Sequence, residues 1–226
     1  MKYLIIFLSL LGFSIISYQL IKLEEDVESV LKMKQQERPK INQKSIPRLS
    51  MMPLGNHPKM GVDSAKVKMI IFIDYECSYC YQFIKKAFPQ IITEFVNQGK
   101  VQVIFKDRPL KFHENSNRLS LLAHMAFENK KFGEFLSDVW TLKKDTSLFY
   151  SKFNFKVNNV AVSSYQESIE ESVKLAEVAG ITGTPTFVIN NRVLVGNRSF
   201  EELKKLIDYS YTNELKSSPT IGTCSE

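Results

Sequence analysis

The chain has 226 residues, of which 44% are hydrophobic and 24% charged, and its net charge is +6. This length suits one domain of ordinary size plus an extension, and the composition excludes general disorder. The basic residues are scattered among acids without interleaved aromatics, which excludes a nucleic-acid-binding patch. Three cysteines are too few for a disulfide scaffold.

The N-terminus has the features of an export signal. Met1 and Lys2 precede Tyr3 to Ile21, a run without a charged side chain and near the lower limit of about 17–20 residues for a membrane helix. Because no good cleavage site follows, residues 1–22 are predicted to be a signal anchor, with a cleaved signal peptide as the alternative. Either segment would place the rest of the chain outside the cytoplasm, in a bacterial periplasm or on the outer face of the plasma membrane, where disulfides persist.

Residues 23–59 are predicted to be a juxtamembrane helix followed by a linker. Apolar residues repeat with coiled-coil spacing for about two heptads, at Leu20, Leu23, Val27 and Val30. Residues 20–36 therefore either join copies into a homo-oligomer or simply continue the anchor helix. Prolines after Arg38 predict the linker, with one short strand near Ser50 to Leu54.

A β-α-β unit opens the globular part. Val67 to Asp74 is apolar and β-branched, which is typical of a buried strand. Ser78 to Gln98 has helical periodicity, with a kink expected at Pro89. Val101 to Lys106 is a second strand, parallel to the first because a helix connects them.

Three helices and a β-β-α end follow. The helices are predicted at Asn115 to Asn129, Phe132 to Leu142 and Ser164 to Ala179. Ser163 or Ser164 would cap the third helix, with Glu167 at the capping-box position counted from Ser164.

The end comprises strands Thr186 to Ile189 and Val193 to Val195, joined by an Asn190-Asn191 turn. A last helix is predicted from Phe200 to Tyr211, with Ser199 and Glu202 as its capping box.

Cys77 and Cys80 stand where the first strand gives way to a helix. A thiol there faces unpaired N–H groups and the positive end of the helix dipole, which favour the reactive thiolate. Half of a zinc site is the alternative, but zinc needs two further ligands. The candidate ligands show no pairing pattern, so a redox pair is favoured and neither a metal nor another cofactor is predicted; these candidates are His57, His113, His124 and Cys224.

A second motif, Thr184-Pro185, precedes an apolar strand. A trans proline in a loop is the simpler interpretation. A cis proline beside the cysteines would instead turn the preceding backbone toward the active site, where an extended substrate could pair with it. Only about 5–6% of X-Pro bonds are cis, so it is the combination with the cysteine pair that favours this reading.

Together these motifs resemble the DsbA-like thioredoxin-fold disulfide oxidoreductases, in the branch that includes BdbD and ScsC-type proteins. The resemblance rests on Phe72-x-Asp74-Tyr75-x-Cys77-x-x-Cys80, on Phe105 to Leu110 and on Thr184-Pro185, and covers about residues 60–210. It implies an α/β thioredoxin-like domain at 60–212, with a helical insertion at 111–180 between its βαβ and ββα halves. A flexible tail is expected at 213–226.

The resemblance also implies roles for individual residues. Cys77 would be the nucleophile that forms a mixed disulfide, and Cys80 its buried partner. Thr184 and Pro185 would bind substrate, and the pair between the cysteines, Ser78 and Tyr79, would tune the redox potential.

The expected function is to form, reduce or isomerise disulfides in exported cysteine-containing proteins, with a membrane partner that recycles the pair. Ser-Tyr stands where the best-known oxidase has Pro-His, and Thr184 where it has valine, so the direction of electron flow stays open. A binding module or chaperone that holds a soft metal such as Cu(I) through both thiolates is the alternative of a different class.

Overall fold

A computed structural model of the protein describes residues 17–28, 55–155, 159–190 and 192–217. The chain divides into two units, Met1–Lys40 and Ile41–Glu226. In the first unit, residues 17–28 form helix α1, on which every side chain from Tyr18 onward is exposed. No helix within the described ranges is long and apolar enough to cross a membrane. Most of the predicted anchor, residues 1–16, lies outside the described residues, and so does the second part of the predicted 20–36 seam, residues 29–36.

A five-stranded mixed sheet forms the centre of the second unit. The strands are β1 Lys59–Met60, β2 Val67–Ile73, β3 Val101–Asp107, β4 Thr186–Ile189 and β5 Arg192–Val195. Their order is β1-β3-β2-β4-β5, with β2 and β3 parallel and the other pairs antiparallel. Helices cover both faces, which is why the central strands read as continuous apolar runs.

Seven α-helices and one π-helical turn surround the sheet in the described part of this unit. They are α2 Ser78–Lys86, α3 Phe88–Ile91, the π turn Ile92–Val96, α4 Ser116–Glu128, α5 Phe132–Leu142, α6 Ser147–Phe153, α7 Asn159–Val178 and α8 Phe200–Ser217.

The predicted β-α-β unit is confirmed, with the expected interruption in its helix. Pro89 lies in the first turn of α3, where its missing N–H is no loss, and the helix breaks just before it at Ala87. The capping box of α8 is also confirmed. Ser199 N–H donates to Glu202 Oε2 at 3.0 Å, and Glu202 N–H donates to Ser199 Oγ at 3.2 Å.

Two predicted helix boundaries are wrong. Helix α7 begins at Asn159, so Ser163 and Ser164 lie inside it and cannot cap its start. The Ser-x-x-Glu pattern also occurs within helices, and Ala161, which precedes the predicted start, packs against the larger core layer. Helix α8 continues to Ser217, beyond the expected end at Tyr211 and into the expected tail.

Strand β1, which pairs antiparallel with β3, lies after the short strand expected near Ser50 to Leu54. Residues 51–54 are outside the described part of the chain.

The core has two layers, one on each face of the sheet. The larger one joins the sheet to α2, α3, α4, α5 and α8. Phe132 of α5 packs edge-on against Phe105 of β3, with ring centroids 4.9 Å apart. The smaller layer packs Ile70 and Phe72 of β2 against Ala176 of α7. The helical insertion is therefore fixed to both faces of the sheet.

Candidate active site

The cysteine pair lies at the junction that the sequence predicts. Strand β2 ends at Ile73, and Cys77 has an extended backbone as the N-cap of α2. Tyr81 N–H donates to the Cys77 carbonyl at 3.1 Å, which closes the first helical turn. The Cys77 side chain therefore lies beside N–H groups that have no partner within the helix.

The two thiols differ in accessibility. Both are free thiols; Cys77 is 7% exposed, whereas Cys80, one turn further along α2, is fully buried. Cys77 Sγ donates to the Thr184 carbonyl at 3.4 Å. The peptide bond between Thr184 and Pro185 is cis. Of the pair, Cys77 is thus the thiol that another molecule can reach, and it lies directly against the Thr184-Pro185 loop.

Hydrogen bonds separate the acidities of the two thiols. The pKa of Cys77 is lowered from 9.0 to about 5, and the hydrogen bond from the Cys80 side chain is the largest cause. Thr184 and the backbone N–H groups of Cys80 and Tyr79 also lower it, whereas burial opposes the shift. Burial is the largest cause that raises the pKa of Cys80, and its hydrogen bond to Cys77 raises the pKa further. The pair therefore holds its negative charge on Cys77 and its proton on Cys80.

The Thr184 side chain is the polar group best placed to stabilise this charge. Its hydroxyl is buried and has no hydrogen-bond partner among the described residues while Cys77 is a thiol. Once Cys77 ionises, the hydroxyl can donate to the thiolate, which agrees with its lowering of the Cys77 pKa.

Ser78 and Tyr79 are the residues predicted to tune the redox potential, and of the two it is the Tyr79 backbone that interacts with Cys77. Both side chains are exposed, Tyr79 by 58%. The contact of Tyr79 with Cys77 comes from its backbone N–H group.

The loop that faces Cys77 is held by its own hydrogen bonds. Thr186 Oγ1 donates to the Gly183 carbonyl at 2.7 Å, and Gly196 N–H donates to the Pro185 carbonyl at 2.7 Å. These bonds leave the Thr184 carbonyl facing the nucleophile.

Asp74, three residues before the nucleophile, does not act as a charge beside it. Its side chain is fully buried, and its two oxygens accept four hydrogen bonds from the following residues and from the loop after β3. The donors are Glu76 N–H at 2.7 Å, Ser116 Oγ at 2.6 Å, Leu110 N–H at 2.8 Å and His113 Nδ1 at 2.8 Å. The groups that shift the pKa of Cys77 do not include Asp74. Asp74 is therefore an acceptor that holds this loop in place, and it does not raise the pKa of Cys77.

Glu76 adds two hydrogen bonds between the segment before Cys77 and the helical insertion. Its carboxylate accepts from Asn115 N–H at 2.6 Å, and its carbonyl accepts from Lys143 Nζ at 3.0 Å. These partners lie 39 and 67 residues away, so no local pattern could have revealed them.

The histidines considered as metal ligands do not join the cysteine pair. His113 bonds Asp74, while His57 and His124 lie together near Asp107. Cys224 is outside the described residues. No described imidazole therefore completes a metal site with Cys77 and Cys80.

Comparison with known proteins agrees with this architecture. A family model described as Thioredoxin matches residues 54–209, more than half of the chain. The chain belongs to the thioredoxin family, in its DsbA-like branch. The predicted thioredoxin-like α/β fold is confirmed.

Relatives within this branch support the same conclusion. Disulfide bond formation protein D of Bacillus subtilis is 25% identical over 169 residues, which cover 67% of this chain and 75% of that protein. The crystal structure of oxidised BdbD from Bacillus subtilis has a TM-score of 0.58 at 23% identity, covering 70% of this chain and 94% of that one. The catalytic domain of Proteus mirabilis ScsC has a TM-score of 0.55 at 22% identity, covering 70% and 90%.

Proposed function

We propose that this protein is an exported thiol:disulfide oxidoreductase whose disulfide, Cys77–Cys80, oxidises pairs of cysteines in other exported proteins. The observation that carries the proposal is the unequal pair: a thiol with a pKa of about 5 at the start of α2, and a fully buried partner. The names of the relatives support the same class of chemistry.

The reaction begins when a substrate thiolate attacks Cys77 Sγ, the more accessible sulfur. The new S–S bond joins substrate to Cys77, and Cys80 leaves with the electron pair of the broken bond. Because burial raises the pKa of Cys80, this leaving thiolate takes up a proton. The second substrate thiolate then attacks the substrate sulfur of the mixed disulfide, and Cys77 leaves as a stabilised thiolate. The substrate loses two electrons and two protons, and the enzyme pair is reduced.

The Thr184-Pro185 loop supplies the substrate-binding surface. While Cys77 is a protonated thiol, the Thr184 carbonyl accepts a hydrogen bond from its Sγ. When Cys77 carries no proton, that carbonyl is free to accept an N–H group of an extended substrate backbone. Between the cysteines, the backbone N–H of Tyr79 hydrogen-bonds Cys77 and so contributes to the tuning of the potential.

The low pKa of Cys77 favours oxidation over reduction or isomerisation. A stabilised thiolate stabilises the reduced enzyme and makes its disulfide a stronger oxidant. The catalytic cycle then needs a membrane redox partner that accepts two electrons from the reduced pair. The N-terminal anchor would keep the enzyme near that partner, and residues 20–36 offer a means of self-association.

The decisive experiment is the reduction potential of the Cys77–Cys80 pair, measured against glutathione, together with the rate at which the oxidised protein forms disulfides in a reduced, unfolded substrate. We expect a potential closer to about −120 mV than to about −270 mV. Cys77→Ala should abolish the activity. Cys80→Ala cannot form the enzyme disulfide and should also fail to oxidise the reduced substrate, but its Cys77 thiolate should attack oxidised glutathione, release one glutathione thiolate and remain as a mixed disulfide.

Three outcomes would overturn parts of the proposal. Full activity of Cys77→Ala would remove the assigned nucleophile. A potential near that of a reductant would reverse the direction of electron flow. Stoichiometric Cu(I) binding by the reduced pair, without disulfide exchange, would favour the binding-module alternative.

A further inference from the structure

A second polar cluster lies away from the cysteine pair and has no part in the proposed reaction. One donor atom each from His57, Asp107 and His124 lies within 4.8 Å of the other two. Each of these residues is only 1% exposed. They come from three parts of the chain: the segment before β1, the end of β3 and the middle of α4.

Two buried atoms in this cluster lack hydrogen-bond partners among the described residues. Lys106 Nζ, which can only donate, lies 2.6 Å from His57 Nε2, so the proton of that ring is on Nδ1. His57 Nδ1 has no partner, and neither does Asp107 Oδ1. The other Asp107 oxygen accepts from His124 Nε2 at 2.8 Å. Unpaired polar atoms are costly to bury, and two in one cluster indicate a missing ligand.

We propose that His57, Asp107 and His124 bind a divalent transition-metal ion of the Zn²⁺ class. Two imidazoles and one carboxylate are donors that zinc accepts, and water can take a fourth position. Ca²⁺ and Mg²⁺ are excluded by the same donors, since both ions require mainly oxygen ligands.

The geometry needs only a small adjustment. Zinc bonds to nitrogen and oxygen are about 2.0–2.2 Å long, so donors at tetrahedral positions lie about 3.4 Å apart. The donors here are within 4.8 Å of one another, and side-chain rotations that move them by roughly 1 Å close the site.

The surrounding charges suit such an ion. Glu171 and Asp107 are the two carboxylates whose charges interact with Lys106, which lies beside His57. Their two negative charges offset part of the positive charge that the ion and Lys106 bring together.

The bound ion would connect three separate elements. His124 belongs to the helical insertion, Asp107 to the sheet and His57 to the segment that leads into the domain. The site is therefore structural, and it is independent of thiol–disulfide exchange at Cys77.

The test is a Co²⁺ and Zn²⁺ titration of the full chain with all three cysteines replaced by serine, so that no thiol can contribute. We expect one ion per chain, with the ligand-field absorption of Co²⁺ bound by nitrogen and oxygen and a raised unfolding midpoint. His57→Gln and His124→Gln should each weaken binding by on the order of 100-fold.

The matched control is His113→Gln, because His113 is the third histidine of the sequence and bonds a different aspartate. It should bind the ion as tightly as the parent chain. The proposal would be overturned if the cysteine-free parent chain showed no Co²⁺ absorption, or if all three histidine variants bound the ion with equal affinity. A buried water would then be the partner of the unpaired atoms. The parent-chain spectrum decides the matter even if a variant fails to fold.

Discussion

Strands β2 and β3 are parallel neighbours, with Ile73 opposite Asp107, and both lead to a buried aspartate bonded to a histidine. The Asp74–His113 and Asp107–His124 bonds are both 2.8 Å long. The two aspartates differ in how fully their oxygens are hydrogen-bonded. Asp74 accepts four hydrogen bonds, whereas Asp107 has one oxygen without a partner among the described residues. Two similar Asp–His pairs can thus have different roles. Asp74, with both oxygens hydrogen-bonded, anchors the loop before α4, whereas the unpaired oxygen of Asp107 makes it part of the proposed metal site.

The largest expected effect is the loss of stability when the Asp74 carboxylate is removed. Asp74→Ala removes the acceptor for four donors, two of them on the loop that leads into α4. We expect the free energy of unfolding to fall by about 3–5 kcal/mol, as for other broken buried pairs. Urea denaturation would measure it, with Glu114→Ala, an exposed carboxylate of the same loop, as a control within about 0.5 kcal/mol of the parent. A loss below about 1 kcal/mol for Asp74→Ala would contradict this role.

The two histidines give the most direct test of the comparison. His124→Gln displaces the bonded donor of a carboxylate that is 1% exposed, and we expect a loss of about 2–3 kcal/mol. His113 is 22% exposed, and Asp74 keeps three other donors without it. His113→Gln should therefore lose about 1 kcal/mol or less. Equal losses in thermal or urea unfolding would mean that completeness of hydrogen bonding does not distinguish the two aspartates.

The β2 end should also show a redox-dependent response to pH. The pKa of Cys77 is about 5 in the folded protein, against 9.0 for an ordinary thiol. Between these values the unfolded chain binds a proton that the native state lacks, so stability of the reduced protein rises with pH. That stabilisation is lost as the pH falls through about 5.

Denaturation of the reduced protein across this range would measure the effect. The disulfide form and Cys77→Ser, which have no Cys77 thiolate, are the controls and should lack this contribution. A reduced protein that follows the disulfide form at every pH would refute a low Cys77 pKa.

The smallest expected effect comes from one hydroxyl beside Cys77. Thr184→Val keeps the shape of the side chain but removes its donor to the thiolate, so the pKa of Cys77 should rise and the disulfide should become a weaker oxidant. A hydrogen bond of ordinary strength shifts the exchange equilibrium with glutathione by roughly 2- to 10-fold. Ser78→Ala, at an exposed position, is the control. A shift as large for Ser78→Ala as for Thr184→Val would assign the tuning to the residues between the cysteines.

Local patterns were sufficient to predict most of the elements that position the pair. The apolar run of β2, the proline after α2 and the reciprocal Ser199–Glu202 cap each act within a few residues, and each appears in the structure. The start of α7 was mispredicted because a capping pattern is also compatible with a helix interior. Thr184 was identified only as part of a motif, and the hydrogen bond from Cys77 Sγ to its carbonyl joins residues 107 positions apart.

Thiol–disulfide chemistry at the β2 end is predictable from the sequence alone, because the reactivity of two cysteines one helical turn apart at a strand–helix junction depends on local geometry. The sequence also indicated the thioredoxin-like order of elements. The different roles of the two aspartates become visible only in the folded chain. His124 reaches Asp107 from 17 residues away, and Lys106 reaches His57 from 49. Hydrogen-bond completeness in a buried cluster depends on elements brought together by folding, and no spacing along the chain reports it.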